Sequence, residues 1–242
     1  LYINAFVVMT LKIFLLYKFT TETSTGLKRM EAVRGMTWGQ QLRGYKGTFK
    51  SILTSPATIF AIIISILVEI ATMINMTFWQ IIASRRIGIP DTMLPIFPMV
   101  KSLLVIVLFF TVLARIQQAR PIVPLAGGFI SAIVSALLLI SVPGAGLTGY
   151  VMLGVSLLLE SLGYSVLSTM RESLVATSVN PDDRSRIMAL LQTSVMLVSV
   201  PFGYIAGLLS DLNRALPFVL NMVLLLLGLL AAVVFFRKEK HV

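Results

Sequence analysis

The chain has 242 residues, of which 57% are hydrophobic and 12% are charged, and its formal net charge is +10. Soluble domains carry about 25% charged residues, so this chain has too little polar surface to fold around a core in water. The composition excludes a disordered chain, and the lack of cysteine excludes disulfides and thiolate chemistry within it. It is typical of a protein with several membrane-spanning helices.

Apolar segments follow one another along the chain, each near the roughly 20 residues that a helix needs to cross a bilayer. They run over residues 1–19, 57–83, 93–115, 121–142, 147–170, 186–210 and 215–236. Six of the ten prolines fall at or near the segment ends, and the runs of Ile, Leu and Val do not alternate as the strands of a β-barrel do. The pattern therefore predicts an all-α, polytopic membrane protein with about seven transmembrane helices.

Lysine and arginine are distributed unequally between the two sides that these spans define. Fifteen of them lie in the long loop after the first span or near other segment ends on the same side, whereas only Arg85, Arg86 and Arg214 lie on the opposite side. By the positive-inside rule, the long loop and the C-terminus are predicted to be cytoplasmic. Topology thus accounts for the positive charge, and no nucleic-acid partner is expected.

The long loop contains a repeating apolar pattern. Trp38, Leu42, Tyr45, Phe49 and Ile52 recur at steps of three and four residues, which is typical of one helical face. We therefore predict an amphipathic helix on the inner membrane surface. A glycine-interrupted connector is the alternative interpretation.

Three ionisable residues lie deep within predicted spans. Glu69 and Glu160 fall near the middle of the second and fifth spans, and Lys101 lies roughly 4–5 Å from the middle of the third. A charge at the bilayer centre costs on the order of 2.5–3.5 kcal/mol, so such residues usually face protein or a water-filled cavity. Two carboxylates and one amine at similar depth can pair, each lowering the cost of burying the other.

Other polar side chains share the helical faces of these two acids. They are Thr72, Asn75 and Gln80 near Glu69, and Ser156 and Tyr164 near Glu160. A polar stripe on an otherwise apolar helix indicates a solvated path, so these residues, with Lys101, are candidates for substrate binding or proton coupling. The alternative is that the charges form a fixed structural pair.

Small residues also recur at helical spacing. Gly203 and Gly207 form one such pair, and Gly127, Ser131 and Ser135 form a similar ridge. Small side chains let two helices approach closely. Both sets are therefore predicted to lie at helix–helix contacts.

Two motifs carry a resemblance to a known family. The first is Asn180-Pro181-Asp182-Asp183-Arg184-Ser185-Arg186, and the second is the glycine-rich run over 201–211 with the turn that follows it. Together with one span, a long basic loop and six further spans, they make the chain similar to the sixth to twelfth helices of major facilitator superfamily transporters. Because it opens at Leu1 inside an apolar run, we expect it to be the C-terminal part of a longer polypeptide.

The resemblance implies a domain organisation and a function. Residues 1–19 would be the last helix of the first half, 20–56 the loop between halves, 57–236 a six-helix bundle and 237–242 a cytoplasmic tail. The implied protein is a secondary active transporter of a small molecule in the plasma membrane, with alternating access and coupling to protons. Its substrate site would lie near the midplane between two repeats. Its partners would be the lipid bilayer and the other half of the polypeptide.

The resemblance further implies a cytoplasmic gate. Its candidate residues are Asp182, Asp183, Arg184 and Arg186, with Arg115 and Arg120 in an earlier loop. That earlier loop keeps only the basic residues of the family's usual Gly-x-x-x-Asp-Arg pattern. Anchoring of the helix ends at the inner membrane surface is the alternative role for all six.

Other functional classes remain as alternatives. A permease subunit of an ATP-driven transporter would need a separate ATPase, since no P-loop is present. A receptor or structural membrane protein is the third class. An enzyme, a cofactor and a metal site are not expected. Drug efflux, sugar uptake and metabolite exchange are all open as activities, and a mid-membrane acid in an aromatic, weakly polar cavity slightly favours efflux of amphipathic or cationic compounds.

Overall fold

The structure, a computed structural model, describes residues 2–21, 55–113, 120–144, 146–178 and 184–239, together with short stretches between 26 and 39. All regular structure within these residues is helical, with no strand among them. The chain divides into two compact units, Leu1–Gly47 and Thr48–Val242. The amphipathic helix predicted for the long loop lies outside the described residues.

The helices follow the predicted spans closely. They are α1 (Tyr2–Phe19), α2 (Pro56–Arg85), α3 (Ile96–Leu108, continued by a π-helical turn over Phe109–Leu113), α4 (Ile122–Ser141), α5 (Leu147–Ser178), α6 (Arg184–Leu212) and α7 (Leu216–Glu239). Most ends agree with prediction to within a few residues. The exception is α5, which was expected to end near residue 170 and instead continues to Ser178.

Within the described residues, five helices are long and apolar enough to cross a membrane, namely α2, α4, α5, α6 and α7. The apolar helix Ile96–Val112 is shorter, and α1 has 18 residues. The all-α class is therefore confirmed, and the apolar helices indicate a multi-pass membrane protein. The total of about seven spans stays a prediction.

Local sequence explains both ends of α2. The Ser55 side chain accepts a hydrogen bond from the Thr58 backbone N–H at 3.3 Å, and Pro56 occupies the first turn, where no N–H is needed. At the other end, Gly88 adopts a φ of 79°, and the Ile89 N–H donates to the Ala83 carbonyl at 3.1 Å. Glycine takes this left-handed conformation without steric cost, so the helix can stop here.

Helix α2 lies at the centre of the second unit, where it packs against α5, α6 and α7. Its first half joins α7 through stacked rings, since the centroids of Phe60 and Phe235 are 4.1 Å apart and their planes differ by 2°. Its second half contributes Ile74, Phe78 and Ile82 to the larger core cluster. The polar residues of α2 are thus held on a well-packed helix.

Helices α4 and α5 make the most extensive helix–helix contact in the described part of the chain. The Ser131 hydroxyl donates to the Leu159 carbonyl at 2.8 Å. Ser135 and Ser156 bond reciprocally, each hydroxyl donating to the other's carbonyl at 2.8 and 3.0 Å respectively. Gly163 of α5 meets α4 backbone directly.

This contact confirms part of the predicted small-residue ridge. Ser131 and Ser135 lie in it, but Gly127 is exposed, and its place is taken by Gly128, whose Cβ position lies 3.3 Å from the Gly163 carbonyl oxygen. The predicted glycine was therefore wrong by one residue, which corresponds to about 100° of rotation around the helix. In the second small-residue pair, Gly203 faces Met73 of α2, while Gly207 has open space beside it.

Helix α3 differs from its neighbours because none of its residues is buried within this chain. It packs against α5, and the ring of Phe97 lies 5.0 Å from that of Trp79 on α2. If α3 spans a membrane, the rest of its surface faces lipid or another part of the protein.

Candidate functional site

Lys101 and Glu160 form an ion pair between α3 and α5. The Lys101 ammonium donates to Oε1 of Glu160. The Glu160 side chain is almost fully buried, with 3% of its surface exposed, whereas that of Lys101 is 20% exposed. A buried charge is tolerated when it is paired, so each group accounts for the presence of the other.

The second acid, Glu69, pairs with a residue that the sequence analysis placed at a segment end. Arg171 Nη1 donates to Glu69 Oε2 at 2.5 Å. Arg171 is available because α5 continues to Ser178 rather than ending near residue 170. A helical signal was present, since Arg171 follows Glu160 by three helical turns and Tyr164 by two, which places all three on one face.

A buried hydrogen-bond network lies beside the Lys101–Glu160 pair. The Tyr164 hydroxyl donates to the Ala71 carbonyl at 3.2 Å and accepts from Asn221 Nδ2 at 3.1 Å. Asn75 lies close to both Glu160 and Tyr164. The network ties α2, α5 and α7 together at the depth of the ion pair.

Asn221 was missed by the sequence analysis. It is fully buried, and it is the only residue with an amide or charged side chain between Pro217 and Phe236. An isolated polar residue in an apolar span is costly unless it meets a partner. The isolation of Asn221 in an apolar span was the sequence signal that could have identified it.

Two cavities lie on either side of the Lys101–Glu160 pair, and α2, α3 and α5 line both. The Trp79 cavity has a volume of about 250 Å³ and is lined by Met76, Trp79, Gln80, Phe97, Pro98, Lys101, Leu157 and Glu160. The Glu69 cavity has a volume of about 390 Å³ and is lined by Val68, Glu69, Thr72, Met76, Lys101, Val105, Phe109, Ser161, Tyr164, Ser165, Ser168, Thr169 and Arg171. Because Lys101 and Met76 belong to both, they form the partition between the cavities.

Several buried polar atoms near the partition have no hydrogen-bond partner. Among the described side chains they are Asn75 Oδ1, Trp79 Nε1, Glu160 Oε2 and Asn221 Oδ1. Buried polar groups are nearly always bonded, and an unpaired one costs about 1–3 kcal/mol. Two of these atoms belong to Trp79 and Glu160, which both line the Trp79 cavity.

The remaining candidates occupy varied positions. Thr72 lines the Glu69 cavity while its hydroxyl donates to the Val68 carbonyl at 2.7 Å. Gln80 lines the Trp79 cavity. Ser156 is directed instead to α4, where it bonds Ser135. The structure therefore brings Thr72, Asn75, Gln80 and Tyr164 to the ion pairs or their cavities, and places Ser156 in a helix contact.

The predicted cytoplasmic gate falls largely outside the described residues. This holds for Arg115, Asp182 and Asp183, and for the side chains of Arg184 and Arg186, although both arginines belong to the first turn of α6. Arg120 is described and is exposed just before α4. The gate therefore stays a prediction.

The fold and the site together define a multi-pass, all-helical membrane protein with ion pairs between its helices. No protein-family model matches this chain, and no curated protein matches it either. Among the described residues, no group of three or more His, Asp or Glu side chains is placed to hold a metal ion. We therefore infer the function from the geometry of the two cavities and their charged residues.

The hydrogen-bond network allows a direct test of stability. Replacing Tyr164→Phe removes the partner to which the buried Asn221 amide group donates, so we expect a loss of about 1 kcal/mol of stability. Adding Asn221→Leu should recover part of that loss, because no unpaired amide then remains. Thermal unfolding of the purified full-length protein measures both effects.

The matched control is Tyr150→Phe, since Tyr150 is exposed on the same helix and its substitution should leave the melting temperature unchanged. An additive loss in the Tyr164→Phe, Asn221→Leu double variant would show that the two side chains do not act as a pair.

Proposed function

We propose that the protein is a secondary active transporter that moves a small molecule along α2, α3 and α5, with coupling to protons. The observation that carries the proposal is the pair of cavities that share Lys101, whose ammonium pairs with Glu160. Alternating access requires one central site that each side of the membrane reaches in turn, and two cavities that meet within the helices support such a site.

The residues along this path suit proton coupling. Glu160 has one carboxylate oxygen bonded to Lys101 and one without a partner. Glu69 lies in the neighbouring cavity with Arg171. Ionisable residues inside membrane segments mark proton and substrate pathways in many transporters, and a carboxylate facing a cavity can gain or lose a proton as the cavity opens.

We further propose a place and orientation for the protein. The distribution of basic residues supports an orientation with the Pro56 end of α2 in the cytoplasm, and we place the protein in the plasma membrane. The Glu69 cavity would then lie on the cytoplasmic side of the partition and the Trp79 cavity on the other. The resemblance to the second half of a major facilitator superfamily transporter supports the same arrangement.

A proton-flux assay tests this function across several classes of substrate. Everted membrane vesicles containing the full-length protein are energised to acidify their interior, and a panel of amines, sugars and organic acids is added one compound at a time. We expect one class of compound to dissipate the pH gradient, as reported by acridine orange fluorescence. Glu160→Gln and Glu69→Gln should each abolish that response.

Glu172→Gln is the matched control, because Glu172 is exposed on α5 directly after Arg171; it should keep the full response. An unchanged response in both Glu160→Gln and Glu69→Gln would remove these residues from the coupling mechanism. Substrate flux that requires ATP and a copurifying ATPase would favour the permease alternative. The absence of any saturable flux would favour a receptor or structural protein.

A further inference from the structure

The Trp79 cavity combines one unused acceptor with one unused donor. Glu160 has 2% of its total surface exposed and Trp79 has 6%. Their atoms Glu160 Oε2 and Trp79 Nε1 have no hydrogen-bond partner. Both residues line the cavity, so a ligand in it lies beside a buried carboxylate that has one unbonded oxygen.

Apart from Gln80 and the ion pair, the cavity wall is apolar and aromatic. The rings of Trp79 and Phe97 lie 5.0 Å apart at an angle of 56°, and Met76 and Leu157 complete the wall. Aromatic faces attract cations and pack against flat apolar groups. The cavity, of about 250 Å³, has room for a small molecule with one charged end.

We propose that the Trp79 cavity binds a small organic amine whose ammonium group pairs with Glu160 and whose apolar body packs against Trp79 and Phe97. The ammonium takes the place that the Lys101 ammonium occupies in this structure. This inference rests on the proposed function, because it names the substrate class of the same path.

The burial of the two charges decides in favour of a cation rather than an anion. An anionic ligand would draw Lys101 away and leave Glu160 without a counter-ion in its buried position, which is strongly unfavourable. A cationic ligand keeps Glu160 paired and releases only Lys101, the more exposed partner at 20% of its side-chain surface. Replacing the Lys101 ammonium with a cationic ligand therefore costs less free energy than replacing the Glu160 carboxylate with an anionic one.

Lys101 has a second place to go once it is released. Its side chain also lines the Glu69 cavity, and its Nζ lies 5.7 Å from the centroid of the Tyr164 ring. Glu69 faces the same cavity and retains 39% exposure of its side chain. A Lys101 ammonium displaced from Glu160 can thus turn toward the Tyr164 ring and the Glu69 carboxylate, while the long, flexible lysine stem accommodates the movement.

Equilibrium binding tests this proposal separately from transport. Radiolabelled 2-phenylethylamine is titrated into the purified full-length protein in lipid nanodiscs, with no pH gradient. Glu160→Gln should weaken binding by at least about tenfold, and Lys101→Ala should tighten it by about tenfold, because the internal competitor is gone. If the ion pair were only structural, the two substitutions should change the affinity for the amine in the same direction.

Matched controls and competitors complete the design. Glu172→Gln and Lys12→Ala, both at exposed positions, should leave binding unchanged. On the wild-type protein, 2-phenylethanol and 3-phenylpropionate should fail to displace the labelled amine. This competition series needs no variant, so it decides the outcome even where Glu160→Gln or Lys101→Ala does not fold.

Each contrary result identifies what has failed. Equal displacement by the alcohol, preferential binding of the carboxylate, or weaker binding in Lys101→Ala would overturn the amine site. If the amine does not bind but the Glu160→Gln variant loses its pH-gradient response, the proposed transport function stands without this substrate class. If the amine binds as expected but no gradient response exists, the binding site stands and the transport function fails.

Discussion

Replacing Gly163→Val is expected to prevent accumulation of the folded protein. A Cβ at position 163 would lie 2.8 Å from the Ala132 backbone nitrogen and 3.0 Å from the Gly128 carbonyl oxygen. Both are backbone atoms of α4, so no side-chain rotation can relieve the clash. Helices α4 and α5 would have to separate, which would break the reciprocal Ser135–Ser156 bonds and open the adjoining core.

Size-exclusion chromatography of a fluorescent fusion, in mild detergent, measures this effect. Gly154→Val is the matched control, because it lies on the same helix and a Cβ there meets nothing within 4 Å; we expect a wild-type monodisperse peak. A folded Gly163→Val protein with normal yield would contradict the close α4–α5 contact.

The second large effect concerns the Glu69–Arg171 pair. We expect Arg171→Leu and Glu69→Leu each to reduce the substrate-induced pH response by at least about tenfold, since either change leaves one unpaired charge in the membrane path. Both side chains retain access to a cavity, with 39% of the Glu69 surface and 25% of the Arg171 surface exposed. The loss should therefore appear in transport more than in folding.

Exchanging the two charges distinguishes pairing from the individual roles of the residues. The double variant Glu69→Arg, Arg171→Glu keeps one charge of each sign at the two positions that form the ion pair, and it should recover most of the folded yield that either single reversal loses. Yield and pH response are measured together in vesicles, with Glu172→Gln as the reference. Failure of the exchange to improve yield over both single reversals would show that the pair does not act as a unit.

The class of the fold was predictable because hydrophobic length is a property of the chain itself. A run such as 215–236 is long enough to cross a bilayer whatever its neighbours are, and α7 occupies Leu216–Glu239. The depth of a residue within a span was predictable for the same reason, since the rise per residue places Lys101 and Glu160 at comparable levels. The structure joins these two residues.

The partners of the remaining groups were not accessible in this way, because they depend on helix rotation and on helix ends. The Glu69 partner was missed because α5 was expected to end one residue before Arg171. The exchange of Gly127 for Gly128 at the α4–α5 contact is a rotational error of one residue. Trp79 and Asn221 acquire their importance from three neighbouring helices, and a linear pattern does not identify those neighbours.

The absence of buried residues along α3 has a mechanical consequence. Its side chains are at most partly buried, and those of Phe97 and Leu104 pack against the larger core cluster, so α3 can tilt with less repacking than the buried helices around it. Besides this packing, two contacts attach α3, namely the Phe97–Trp79 ring contact near its beginning and the Lys101–Glu160 bond farther along. In the amine site that we propose, a bound cation that takes Glu160 would remove the ion pair and keep the ring contact, so occupancy of that cavity would change how firmly α3 is held against α5.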